Sequence, residues 1–203
     1  MMSVLKPSIL LLCAVLSGCA LSGDKAREVS QKKAPATSKT LAKAPAVDKA
    51  WLDAAEQRVR KALTGSAFSV ERRGEALAII APADRAFNPD RPAMLLPVSL
   101  RPLTQVAKLA AADPESAVLI VGHADSRGDA AANRLLSLER ARSMAAIFRL
   151  SGLPGERLVM RGAGADQPRA SNANAAGRAQ NRRVELLLTM RSGLPTLLAQ
   201  QQR

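Results

Sequence analysis

Ala117-Val118-Leu119-Ile120-Val121-Gly122-His123-Ala124-Asp125-Ser126-Arg127-Gly128 is the stretch on which the fold turns. Residues 117–121 are apolar without interruption and end at a glycine, the mark of a central strand covered on both faces. Downstream, Asn133 to Leu150 carries Leu135, Leu138, Ala141, Met144, Ala145 and Phe148 at helical spacing, with Gly152 after its end. That pattern predicts a helix with those residues inward. Leu158–Arg161 reads as a short strand, Gly162 to Gln180 as a loop rich in Gly, Asn and Ala, and Arg183–Met190 as a strand alternating Val184, Leu186 and Leu188. Upstream, Leu96 to Ala112 places apolar residues at 96, 100, 103, 106 and 110, a helical stripe. Pro97 suits a first turn there, and Pro102 predicts a kink or a late start. Phe68–Arg73 and Ala76–Ala81 alternate around Gly74, a hairpin pattern. Strands and helices interleave, so the expected class is α/β, a two-layer sandwich with helices packed on one mixed sheet.

Further toward the N-terminus, Asp48 can cap a helix running to about Thr64, with Gly65 as its stop. Trp51, Leu52, Ala55, Val59, Ala62 and Leu63 share helical spacing, and Trp51 is expected to pack onto the main domain. Leu21 to Val47 is rich in Ala, Lys, Ser, Thr and Pro with no apolar periodicity, which predicts a disordered tether. It could reach roughly 90 Å at full extension and would average about 30 Å as a coil.

Met1–Ser17 holds one charge, Lys6, ahead of an apolar run from Ile9 to Leu16. The run is too short to span a bilayer as a helix and suits the apolar region of a secretory leader. It closes on Leu16-Ser17-Gly18-Cys19, which resembles the lipobox of bacterial lipoprotein precursors. The resemblance implies a signal peptide over 1–18 and a lipidated Cys19. Cys13 would leave with the leader. Ala20 in place of Asp implies sorting to the outer membrane, facing the periplasm. Several acyl chains on one residue anchor firmly where one alone would be marginal.

The length of 203 residues fits one domain with an extension, and 47% apolar residues suffice for a core. Aromatic residues make up 2%, which argues against base stacking. The net charge of +13 is spread along the chain rather than gathered in a stripe, so nucleic acid is not an expected partner. Two cysteines and one histidine exclude a Cys/His zinc cluster, and no metal or cofactor is expected.

Three segments carry the chemistry. They are Gly122 to Gly128, Asn133-Arg134-Leu135-Leu136-Ser137-Leu138-Glu139-Arg140-Ala141, and Asn172 through Asn181-Arg182-Arg183-Val184-Glu185. Their order and spacing resemble the OmpA-like peptidoglycan-binding domain of peptidoglycan-associated lipoproteins, over about 76 to 190. The resemblance implies an OmpA-like sandwich that binds peptidoglycan without catalysis, linking outer membrane to cell wall. The side-chain end of meso-diaminopimelate bears an ammonium and a carboxylate on one carbon. Asp125 can accept the ammonium, the planar fork of Arg140 matches the carboxylate, and Asn133 can both donate and accept. By resemblance Arg182 lines the groove and Asn88, beside Phe87, lies at its rim. Arg178 and Arg183 read as structural, and His123 as a hydrogen-bonded scaffold residue. The chain departs from the family pattern at Ala124, Ala132 and Asn88, where Thr, an aromatic and Asp are usual.

The implied organisation is 1–18 signal peptide, 19–47 lipidated Cys and linker, 48–75 helix and hairpin extension, 76–191 OmpA-like domain and 192–203 C-terminal tail. A second reading keeps the same domain on the wall while 48–75 touches an envelope protein, as in a sensor or adaptor. A wall hydrolase is disfavoured, because neither Ser126 nor Ser137 has a base oriented by a third group.

Overall fold

The computed structural model describes residues 47–201; the expected leader, Cys19 and the tether up to residue 46 lie outside the described residues. Within them, five strands form one mixed sheet in the order β1-β2-β5-β3-β4. They are β1 (Ser69–Arg73), β2 (Ala76–Pro82), β3 (Ser116–His123), β4 (Leu158–Gly162) and β5 (Arg183–Met190). β3 is buried along its whole length, as its apolar run predicts. It pairs antiparallel with β5 and parallel with β4. The parallel pairing requires a crossover, supplied by α4 (Ala130–Leu150).

Alternation along the strands sorts the side chains into two cores. Leu77, Ile79, Val118, Ile120, Val184, Leu186 and Leu188 face α1 (Lys49–Ala62), α3 (Pro97–Ala112) and α4. Ala76, Ala78, Ala117, Leu119, Val121 and Leu187 face the other way, where Leu194 and Leu197 of α6 (Leu194–Gln200) pack on them. The stretch 192–203 thus carries a helix that covers part of the second face. Residues 48–75 share the first core through Leu52, Ala55, Val59, Leu63 and Phe68, and β1 is an edge strand of the sheet. Trp51 packs inward as expected, its Nε1 donating to Asp113 Oδ2 at 2.7 Å. Asp48 caps α1 by accepting from the Ala50 amide at 2.8 Å. No helix among the described residues is long and apolar enough to cross a membrane.

The helix phases differ from the expected stripes at two leucines. Leu135, expected inward, is exposed, because α4 buries Ser137, Arg140, Ala141, Met144, Ala145 and Phe148. Two residues from Ser137 is about 200° around a helix, so Leu135 must face out. Leu100 is likewise exposed, while Ser99 turns inward and donates to the Ala86 carbonyl at 3.2 Å. α3 starts at Pro97 and continues through the buried Pro102, forgoing one backbone bond.

α4 lies against two glycines that are register partners, Gly122 of β3 and Gly162 of β4. A Cβ on Gly122 would stand 1.9 Å from the Ser137 carbonyl oxygen, and one on Gly162 2.5 Å from that of Arg134. Backbone meets backbone there, and the first half of α4 is seated against the sheet end.

Candidate functional site

The candidate side chains meet at the end of the sheet where β3 stops and β5 starts. A one-turn helix, α2 (Ala83–Ala86), follows β2, and its Ala83 amide donates to the Arg182 carbonyl at 2.9 Å. That bond holds Asp84 beside Arg182. Arg182 Nε and Nη2 donate to Asp84 Oδ1 and Oδ2 at 2.9 and 2.6 Å, a two-point fork. Its remaining Nη1 donates to Asp125 Oδ2 at 2.8 Å. Asp125 Oδ1 accepts from the Arg127 amide at 3.0 Å.

Asn133 lies in the first turn of α4, but Asp129 caps that helix by accepting from the Ala132 amide at 2.8 Å. Asn133 Nδ2 instead donates to the carbonyls of Asp125 and Arg127, at 3.3 and 2.7 Å. It fixes the loop that carries Asp125. Arg140, buried on α4, donates Nε to the Pro92 carbonyl at 2.8 Å and stands 5.5 Å over the Phe87 ring. Ser143 donates to the Ala93 carbonyl at 2.6 Å, tying the same loop to α4. Nη1 and Nη2 of Arg140 form no hydrogen bond or ion pair among the described residues.

Asp84, Arg182 and Asp125 therefore form an alternating row, and Arg140, within the fields of both aspartates, keeps its outer nitrogens open. Burial lowers the pKa of Arg140, and the fields of Asp84 and Asp125 act against that. The Arg182 fork holds Asp84 below the ordinary carboxylate value. Burial pushes Asp125 up, but the Arg127 amide and Arg182 outweigh it, and the net shift is downward. Arg182, bonded to both carboxylates, is raised. A ligand with a cation and an anion on one carbon fits such a row: its carboxylate can take the free edge of Arg140, and its ammonium the remaining lone pairs of the aspartates.

The structure brings Asp125, Asn133, Arg140 and Arg182 together. Asp125 is bonded to Arg182. Asn88 spends its side-chain oxygen on its own loop, accepting from the amides of Asp90 and Arg91 at 2.8 and 3.1 Å. A correction concerns His123. Both its ring nitrogens are buried without a hydrogen-bond partner, so it is not the hydrogen-bonded scaffold residue expected. Burial, with the nearby Arg183 charge, pushes its pKa down to about 4. Arg178 and Arg183 are structural as read: Arg178 donates to the Asn172 and Ala173 carbonyls, and Arg183 to Asn181 and Gln167. Asp84 escaped the sequence reading. Its available signal was Pro82-Ala83-Asp84, a proline and an acid at a helix start.

Residues 87–182 match the OmpA family. The protein carries an OmpA-family domain. The matched span contains Asn88, Asp125, Asn133, Arg140 and Arg182, with Asp84 just ahead of it. The chain is 35% identical over 139 residues to the "Probable lipoprotein YiaD" of Escherichia coli, covering 68% of this chain and 63% of that one. It is 40% identical over 94 residues to the outer-membrane lipoprotein YfiB of Pseudomonas aeruginosa, covering 46% and 56%. It thus spans under two thirds of the length of either relative. A solved structure of the cell wall anchor of the T6SS from Pseudomonas aeruginosa superposes with a TM-score of 0.56 at 26% identity, over 68% of this chain and 96% of that one. These names describe lipoproteins and a cell wall anchor.

Proposed function

We propose that the protein is a lipid-anchored envelope component whose OmpA-family domain holds peptidoglycan non-covalently through the diaminopimelate of the stem peptide. The carrying observation is Arg140, a buried guanidinium with one backbone acceptor and a free edge, beside carboxylates already arranged for a cation. Arg140 would take the distal carboxylate and Asp125, with Asp84, the ammonium. Arg182 would hold the two aspartates in place, and Asn133 the loop between them and α4. The lipobox-like segment ending at Cys19 and the lipoprotein names of the relatives support attachment to the outer membrane, with 20–47 as the tether.

Calorimetry on the full-length protein tests the reading. A stem peptide with diaminopimelate should bind, and its lysine counterpart, lacking the distal carboxylate, should bind at least about tenfold more weakly because Arg140 is left unmatched. Equal affinities would overturn diaminopimelate recognition.

A further inference from the structure

α1 and α3 pack side by side, and a groove runs between them. A cavity of about 590 Å³ lies between Arg58, Lys61 and Ala62 of α1 and Gln105, Lys108 and Leu109 of α3. A second, of about 420 Å³, continues past Gly65 toward Pro102 and Val98. The two share Lys61, Ala62 and Gln105, so they form one trough, and the two chain segments run in opposite directions along it. From Val98 to Ala112 α3 lines it for about 21 Å, close to four helical turns.

The trough is mostly apolar: the half-buried Ala62 and Leu109 with the exposed Ala112 at one end, the buried Pro102 with the exposed Val98 at the other. The rim is cationic: Arg58, Lys61, Arg101 and Lys108, with no Asp or Glu lining either cavity. Arg58 has Asp113 at 3.9 Å, whereas Lys61, Arg101 and Lys108 form no ion pair among the described residues. Arg101 and Lys108 are seven apart on α3, and so stand on one side of that helix.

We propose that this groove docks an acidic amphipathic helix of a partner protein, its apolar side on Ala62, Leu109 and Ala112 and its carboxylates against Lys61, Arg101 and Lys108. Helix-in-groove recognition lays the apolar side of an amphipathic helix along such a trough, and the cationic rim favours an acidic one. Charge decides against the alternatives within the chain. Residues 20–46 hold Lys25, Arg27, Lys32, Lys33, Lys39 and Lys43 against Asp24 and Glu28, and such a segment is repelled. A second copy offers Met94, Val98, Leu100, Leu135 and Leu150 as exposed large apolar residues, but each has an arginine within three positions in the chain, Arg91, Arg101, Arg134 or Arg149. The proposal does not depend on the peptidoglycan reading, because no lining residue belongs to the wall site.

The test uses the full-length protein, purified in detergent, and fluorescence anisotropy of a labelled helical peptide of about 16 residues with a leucine stripe and glutamates elsewhere. The acidic peptide should bind, its lysine-for-glutamate counterpart should not, and Lys61→Glu with Lys108→Glu should weaken binding by about tenfold or more. Ala112→Trp, which fills the trough and leaves every charge, should also weaken it. Peptidoglycan pull-down should be unchanged in all variants, which separates failure here from failure at the wall site. Failure of the acidic peptide to bind, equal binding of both peptides, or undiminished binding by the variants would overturn the proposal. So would binding of phosphatidylglycerol vesicles through the same lysines in place of the peptide, which would assign the rim to a lipid surface.

Discussion

At the head of β5, Arg182 and Arg183 are adjacent in the chain and point to opposite sides, each into a cluster of charges. On the α6 side, Arg183 Nε donates to Glu185 Oε1 at 2.7 Å, and Arg73 Nη1 to Glu185 Oε2 at 2.5 Å. Arg169 in turn pairs with Glu71, which also bonds Arg73. Burial pushes Glu185 up, but its two arginines overcome that and hold it at about 2. Arg183's other nitrogens end on carbonyls. On the Arg182 side there are again two acids and a bridging arginine, yet Arg140 stands among them with its outer nitrogens uncommitted. Charge density and burial alone do not separate a brace from a receptor. Leftover bonding capacity does.

That contrast can be broken first at the brace. Glu185→Ala strands the buried Arg183 without its carboxylate and should cost about 3–5 kcal/mol of folding stability in urea titrations. Affinity of the surviving folded protein for a diaminopimelate peptide should be unchanged. If affinity falls and stability does not, the two clusters have been assigned the wrong way round.

The proposed receptor should show the reverse. Arg140→Ala and Asp125→Ala should each lose about 2–5 kcal/mol of peptide binding, more than tenfold even at the lower bound. Stability should change less, because Arg182 keeps its fork on Asp84. Arg140→Lys should also bind poorly, since an ammonium keeps the charge without the fork. Wild-type binding by Arg140→Ala would remove the distinction.

A smaller effect sharpens the brace side. His123 lies in register with Arg183, near Glu185 and Arg73. Its unfolded imidazole takes up a proton near 6.5, whereas the folded one stays neutral down to about 4. Between those values the unfolded chain binds more protons, so stability falls as pH drops from 6.5 toward 4. From pH 7 to pH 5 the wild type should lose about 2 kcal/mol through this residue. His123→Leu should remove that loss and be neutral or stabilising at pH 7, because no ring nitrogen has a partner to lose. Glu185, whose unfolded carboxyl titrates near 4.5, adds only about 0.2 kcal/mol of loss in the same direction between pH 7 and pH 5. An unchanged difference between pH 7 and pH 5 in the variant would show that another group carries it.

Much of the sheet was legible because its signals are local. The unbroken 117–121 run and the alternation of Val184, Leu186 and Leu188 mark β3 and β5 wherever they sit in the chain. The candidate site was legible as residues that come together, Asp125, Asn133, Arg140 and Arg182, and not as a set of bonds. Arg182 meets Asp125 across 57 positions and Asp84 across 98, separations that leave no local pattern. Asp84 was missed because α2 is a single turn. α5 (Ala175–Asn181), capped by Asn174 onto the Gly177 amide at 2.7 Å, hides in a stretch whose Gly, Asn and Ala content reads as loop. The sequence pattern puts Leu135 and Leu100 inward because leucines usually define a stripe. Here Ser137 and Arg140 took the inner positions of α4, one under Gly164 and the other at the site.

The attachment of α1 has a mechanical consequence. In the proposed arrangement, tension between outer membrane and wall enters the domain at residue 48 and leaves through the site at the end of β3. Such a pull meets α1 before any strand that holds the site. The Trp51–Asp113 bond and the burial of Leu52, Ala55 and Val59 are what resist it. Drawn out from a helix to an extended chain, its 14 residues would release about 25 Å of slack. The domain would lengthen its own leash under load before β5 and β3 were disturbed, keeping its grip on the wall while the membrane moved away.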